Sequence, residues 1–385
     1  MVPAPPPRPQ PLVQRPAPPP PPVAVELLKE PGAAGAAKVA LLVPLSGANA
    51  ELGRGLLDAA QMALFDNASD RLALAPRDTG GTTDGAANAA KAAIADGARL
   101  ILGPLLAVEV EAVKPLARDA HINLIAFSTV VQLAGGNAYL MGFLPQQEVG
   151  REVGYARQRG LARFAALAPS TPYGRLMADA LREAAGASGA AVAKVEFYDP
   201  RAGDAAAPIR RLIGGGEASA AAAPGPAFDA LMLPEGGARL KALARQLAVA
   251  GLDTRAVRLL GSGLWDEPDI GDEPALVGGW FAAPAPEGRR AFEQRFEAAY
   301  GHRPPRLASL GYDAAALASV LARAGGDEPF SAQAIQNPSG FTGVDGLFRF
   351  GPDGLVQRGL AVLEVTPQGS QTISPAPQSF QDLGY

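Results

Sequence analysis

The sequence predicts an α/β protein of two lobes, each a mainly parallel sheet flanked by helices. Three observations carry this. Short apolar runs alternate with helical stretches at βαβ spacing, the pattern that builds a parallel sheet covered on both faces. The alternation starts afresh in the middle of the chain. The 385 residues, less a proline-rich start, leave about 350 for the folded body, which suits two lobes rather than one.

The elements follow in order. Residues 39–43 are an apolar run ending in Pro44-Leu45-Ser46-Gly47, a buried strand and its turn. Leu52, Leu56, Ala60 and Leu64 recur every four residues and share one helix face. A helix over 91–95, a strand over 100–102 with a turn at Gly103-Pro104, a helix over 109–117 and a strand over 123–127 complete the first series. The second series has helices over 148–159, 176–185 and 239–248. Its strands fall at 164–167, 193–197, 228–233 and 258–260. The Gly/Ala-rich stretch 214–226 reads as a surface insertion. Helices return over 289–300 and 307–323, and residues 346–350 and 360–365 flank Pro352-Asp353-Gly354 as a β-hairpin. The expected division is a tether and linker over 1–37, a first lobe of 38–142 plus 284–328, and a second lobe of 143–283 plus 329–385.

Twelve of the first 22 residues are proline. Proline fixes φ and lacks the backbone donor, so this stretch is expected to be a disordered, polyproline-like tether reaching about 70 Å. No export signal precedes it in the sequence, which leaves open a cytoplasmic protein or a signal removed upstream. Net charge is −4, without the basic excess of nucleic-acid binders. Cysteine is absent and histidine occurs twice, which excludes disulfides, thiolate metal sites and cysteine nucleophiles. No apolar run approaches the ~20 residues of a membrane span. No G-x-S-x-G, S-x-x-K, Walker A or H-E-x-x-H motif occurs, and Gly53-Arg54-Gly55 falls within a helical pattern. The acidic stretch Asp266-Glu267, Asp269, Asp272-Glu273 lacks calcium-loop spacing and reads as an exposed loop. No catalytic residue, metal or cofactor is expected.

Five segments, in order, resemble type I periplasmic binding proteins of the Leu/Ile/Val-receptor kind. They are 39–53, beginning Val-Ala-Leu-Leu-Val-Pro-Leu-Ser-Gly; Leu100-Ile-Leu-Gly-Pro104; Ile122-Asn-Leu-Ile-Ala-Phe-Ser-Thr129; Ser170-Thr-Pro-Tyr-Gly174; and Gly311-Tyr-Asp-Ala-Ala315. The resemblance spans about residues 38–365 and implies a two-lobed clamp that is not an enzyme, with a small-molecule ligand in the interlobe cleft. Such ligands bind outside the carboxyl ends of parallel strands. Ser46, Ser128, Thr129 and Tyr173 follow strands there, although Ser and Thr are also common turn and cap residues. Leu106, Ala107, Glu235, Arg239 and Trp265 complete the set of ligand-cleft candidates. Amino-acid receptors of the family use a hydroxyl after the Gly-Pro turn and an acid in the second lobe. Here Leu105-Leu106-Ala107 has no hydroxyl, and Arg239 stands near the acid's place with Glu235 as a substitute.

These departures, with the Gly261-Ser-Gly-Leu-Trp-Asp266 stretch and Ala126-Phe-Ser-Thr129, resemble the branch of penicillin-binding protein activators. That branch implies a peptidoglycan synthase as partner, a periplasmic location, and an outer-membrane lipid anchor lying upstream of this sequence. Trp265 is then the expected surface anchor for the synthase. The alternative is a solute receptor for an ABC transporter.

Overall fold

The computed structural model describes residues 36–67, 70–214 and 226–381. The expected tether, up to residue 35, and the expected insertion, over 215–225, lie outside the described residues.

The first lobe opens with β1 (Ala37–Val43), α1 (Ala50–Asp66), β2 (Leu72–Asp78), α2 (Thr83–Ala95), β3 (Leu100–Leu102), α3 (Ala107–Asp119), β4 (Asn123–Ala126) and β5 (Ala138–Leu140). The five strands form a parallel sheet in the order β2-β1-β3-β4-β5. A strand buried on both faces must be apolar at successive positions, and β1 shows why. Val39, Leu41 and Val43 point into one core with Leu56 and Ala60 of α1. Ala40 and Leu42 point into the other, with Ala86, Ala90, Val110 and Val113 of α2 and α3. The predicted stripe on α1 is the buried one: Leu56 and Ala60 lie in the core, and Leu52 and Leu64 pack at its edge.

The second lobe begins with α4 (Pro145–Gln158), β6 (Arg163–Pro169), α5 (Pro172–Ala187), β7 (Ala191–Tyr198), α6 (Ala206–Ile213), β8 (Ala230–Met232), α7 (Gly237–Val249), β9 (Arg258–Leu260) and β10 (Trp280–Ala283). The same period-2 division recurs. Phe164 and Ala166 of β6 pack with Val149, Val153 and Met177 of α4 and α5, while Ala165 and Leu167 pack with Ile209, Leu212, Leu240 and Leu243 of α6 and α7.

The chain then returns to the first lobe. Phe292 and Phe296 of α8 (Pro286–Tyr300) pack on Ala59 and Met62 of α1. Beside them runs α9 (Ala308–Ala324), also laid along α1. The contact is close because Gly311 has no side chain: a Cβ there would stand 2.2 Å from the Leu56 carbonyl oxygen. A short α10 (Ala332–Ile335) and a three-stranded antiparallel sheet, β11 (Phe341–Gly343), β12 (Gly346–Phe350) and β13 (Val356–Arg358), follow. Finally β14 (Ala361–Thr366) and β15 (Gly369–Ser374) extend the second sheet, whose order is β15-β14-β10-β9-β8-β6-β7.

Two sequence readings change. The hairpin across Pro352–Gly354 pairs β12 with β13, not with residues 360–365, which join β10 and β15 in the second sheet. Phe330, Ile335, Phe348, Phe350 and Val356 pack in the first-lobe core with Leu41 and Tyr139, whereas residues 329–385 were all expected in the second lobe; among the described residues of that range, the second-lobe sheet takes only β14 and β15. Among the described residues, three segments therefore cross between the lobes, at 141–144, 284–285 and 359–360.

Candidate functional site

Strand order locates the site before any side chain is considered. In an open parallel sheet, the crevice lies at the carboxyl ends of the strands where the winding reverses. In the first sheet that point falls between β1 and β3, and in the second between β6 and β8.

The first switch point carries Ser46 and Leu106. Asp78, the last residue of β2, organises the loop: its Oδ1 accepts the N–H groups of Leu45 (2.8 Å), Ser46 (3.2 Å) and Gly80 (2.8 Å), and the Ser46 hydroxyl is bonded to the same carboxylate. Partial burial opposes ionisation of Asp78, but these bonds outweigh it and hold its pKa below the usual carboxylate range. Leu106 is the residue before α3; its N–H donates to Glu109 Oε2 at 2.9 Å, and Ala107 opens the helix. Ser128 is buried and its Oγ accepts the Val130 N–H at 3.2 Å, a turn role. Thr129 is exposed in the loop after β4.

The second switch point carries more chemistry. Thr171 caps α5 by accepting the Gly174 N–H at 3.2 Å, which fixes Tyr173 in the first turn. The Tyr173 phenol is hydrogen-bonded to Ser262, after β9; burial raises its pKa, and the charges of Glu148 and Glu235 raise it further. Glu148 Oε2 accepts the Gly263 N–H at 2.9 Å, and Glu152, one turn on, accepts the Gly261 N–H at 3.1 Å through Oε1. Burial pushes Glu148 up to about 7, against the pull of the Gly263 N–H and Arg306; it also raises Glu152, with the Glu148 charge adding. The Tyr198 phenol, at the end of β7, donates to Glu235, and Arg239 pairs with Glu235 at 3.6 Å. Burial and that acid raise the Tyr198 pKa.

The structure thus gathers Ser46 and Leu106 at one switch point, and Tyr173, Glu235 and Arg239 at the other. Among the described residues no hydrogen bond or ion pair joins the two groups. Trp265 is a correction. Its side chain is fully buried, its Nε1 donates to the Leu233 carbonyl at 3.1 Å, and it packs on Phe281. Gly261 makes the room: a Cβ there would meet the indole at 2.2 Å. Trp265 is a core residue, not a surface anchor or a cleft wall. The acidic loop is likewise more than an exposed turn. Asp266 pairs with Arg289 and, at 3.6 Å, with Arg306; Asp269 pairs with Lys241 and Glu273 with Arg245. Since α8 and α9 pack in the first lobe, the Asp266 pairs tie the lobes together.

Sequence reasoning missed Asp78, Glu148, Tyr198 and Ser262. Asp78 and Tyr198 end strands, and β2 was not recognised because Pro76 and Arg77 break its apolar run. Glu148 had a signal: with Glu152 it lies on the face of α4 that carries Val149, Val153 and Ala156.

The two doubly wound lobes, the three crossing segments and the polar switch points define a two-lobed binding protein of the α/β class. The chain belongs to the periplasmic binding protein family, whose model it matches over residues 36–371. No curated protein matches it in sequence. Among solved structures it is similar to an ABC transporter substrate-binding protein from Sphaerobacter thermophilus, with 21% identity, 88% of this chain and 96% of that chain covered, and a TM-score of 0.70. It is also similar to a branched-chain amino acid ABC transporter periplasmic ligand-binding protein from Burkholderia xenovorans (19% identity, 88% and 94% covered, TM-score 0.70). A third is an ABC transporter solute-binding protein from R. palustris in complex with benzoate (19%, 89% and 98% covered, TM-score 0.62). At these identities the likeness is one of fold. Nothing in these similarities singles out the penicillin-binding protein activator branch.

Proposed function

We propose that this chain is a periplasmic solute-binding receptor of an ABC transporter, holding a small molecule between its lobes. The observation that carries the reading is the placement of Tyr173 and Glu235 at the second sheet's switch point, where Ser262, Glu148 and Tyr198 converge on them. The Ser46–Asp78 loop lies at the first sheet's switch point. The transporter proteins of similar fold, one with benzoate bound, support a small ligand. No helix among the described residues is long and apolar enough to cross a membrane. The activator reading has lost its proposed synthase anchor, because Trp265 is buried.

Ligand presence is the test. Titration with amino acids, aromatic acids and short carboxylates is expected to give one-to-one binding by at least one solute. That binding is expected to weaken about tenfold in Tyr173→Phe, which removes one hydroxyl partner. A cleft that takes none of them, in a chain that captures a penicillin-binding protein in a pull-down, would overturn the reading.

A further inference from the structure

Beside the second switch point lies a cavity of about 360 Å³, between the loop after β7 and the first turns of α7. Its lining includes Tyr198, Arg201, Asp204, Arg239, Leu243 and Gln246. Tyr198 and Arg239 belong to both places, since each also contacts Glu235. The cavity thus adjoins the second switch point, as a side arm of the ligand site proposed above.

Its chemistry differs from that of the cleft wall. Tyr173 faces the acids Glu148 and Glu235, but the side arm presents two guanidinium groups. Arg201 is exposed, and its side chain has no hydrogen-bond or ion-pair partner among the described residues. Arg239 is half exposed and meets Glu235 only at 3.6 Å. The Gln246 carbonyl is taken up by the Ala205 N–H at 2.8 Å, and its amide NH2 makes no hydrogen bond among the described residues. The one acid in the lining, Asp204, is occupied in part by the Ala206 N–H at 3.1 Å. Donors and positive charge exceed acceptors, while Leu243 gives an apolar wall.

We infer that this side arm receives the carboxylate end of an elongated organic acid, held by Arg201 and Arg239 of the second lobe. Guanidinium groups suit a carboxylate because their planar donors can meet both of its oxygens. The assignment fits the first lobe as well. Leu106 and Ala107 offer no side-chain hydroxyl after the Gly103-Pro104 turn, and the Ser46 loop is already built around the Asp78 carboxylate. The ligand's anionic end is thus directed to the second lobe. This inference rests on the solute-receptor reading.

The test is calorimetric titration of the full chain with hexanoate, its neutral isostere hexanamide, and leucine. Hexanoate is expected to bind one-to-one, about tenfold or more tighter than hexanamide. The double variant Arg201→Gln/Arg239→Gln is expected to lose about 10- to 100-fold in hexanoate affinity. Arg182→Gln, an exposed arginine paired with Asp179 on α5, is expected to change nothing. If hexanamide binds as well as hexanoate, or the double variant keeps hexanoate or leucine, the side arm is not a carboxylate site and the receptor reading stands. If none of the three binds, the carboxylate site falls, while the receptor reading stands or falls on the wider solute titration above.

Discussion

Glu148 shows how one residue couples stability to pH. Its carboxyl is buried, and its pKa is raised from an ordinary 4.5 to about 7. Between those values the folded chain binds more protons than the unfolded one. Stability is therefore fully present below about pH 4.5 and is lost as pH rises toward 7, on the order of 3 kcal/mol from this group. Glu152, also raised, adds in the same direction. Denaturant titrations across pH 4.5–7.5 should show the fall in the native chain and a shallower one in Glu148→Gln; equal slopes would remove Glu148 as the cause. Trp265 makes the complementary case. Trp265→Ala opens a cavity and leaves the Leu233 carbonyl without its donor. It is expected to cost about 3–5 kcal/mol, read from denaturant midpoints. A surface anchor would cost little.

At the scale of elements, small residues decide how closely parts approach. Gly311→Val should push α9 off the Leu56 backbone of α1 and cost at least ~1–3 kcal/mol, seen as a Tm lowered by several degrees. An unchanged Tm would mean that the helices are not in close contact. Elements with strong apolar periodicity were legible in the sequence: β1, β3, α1 and α9 stand where 39–43, 100–102, the Leu52–Leu64 stripe and 307–323 put them. What escaped had weak local patterns. β2 carries Pro76 and Arg77, β5 is three residues long, and β13 alternates polar Gln357 between Val356 and Arg358. The hairpin partner was misread because the stronger apolar run, 361–366, serves a different sheet. The candidate site was visible in the sequence only as strand-end hydroxyls, Ser46 and Tyr173, which lie at the two switch points. Its acids were not, because Glu148 and Asp78 gain their roles from loops distant in sequence, at Gly263 and at Leu45.

For the whole molecule, the two lobes are joined, among the described residues, by three crossings and by the ion pairs of Asp266 with Arg289 and Arg306. Arg306 also reaches Asp345 at 3.4 Å, so the pairs extend into the first-lobe base. Asp266→Asn leaves both guanidinium groups without their acid across the lobes. It should lower Tm by several degrees and widen the distribution of interlobe distances in solution scattering. Unchanged scattering with a lowered Tm would confine its role to local stability. The central claim is that the cleft holds a solute. Thermal-shift measurement of the native chain and of Glu235→Gln/Tyr173→Phe, against amino acids, aromatic acids and short carboxylates, tests it most directly. The expected result is a ligand that raises the native Tm by several degrees, which at a hundredfold excess over Kd corresponds to ~2.7 kcal/mol, and that shifts the double variant far less. A native chain that no solute stabilises, or one stabilised equally in the double variant, would contradict it.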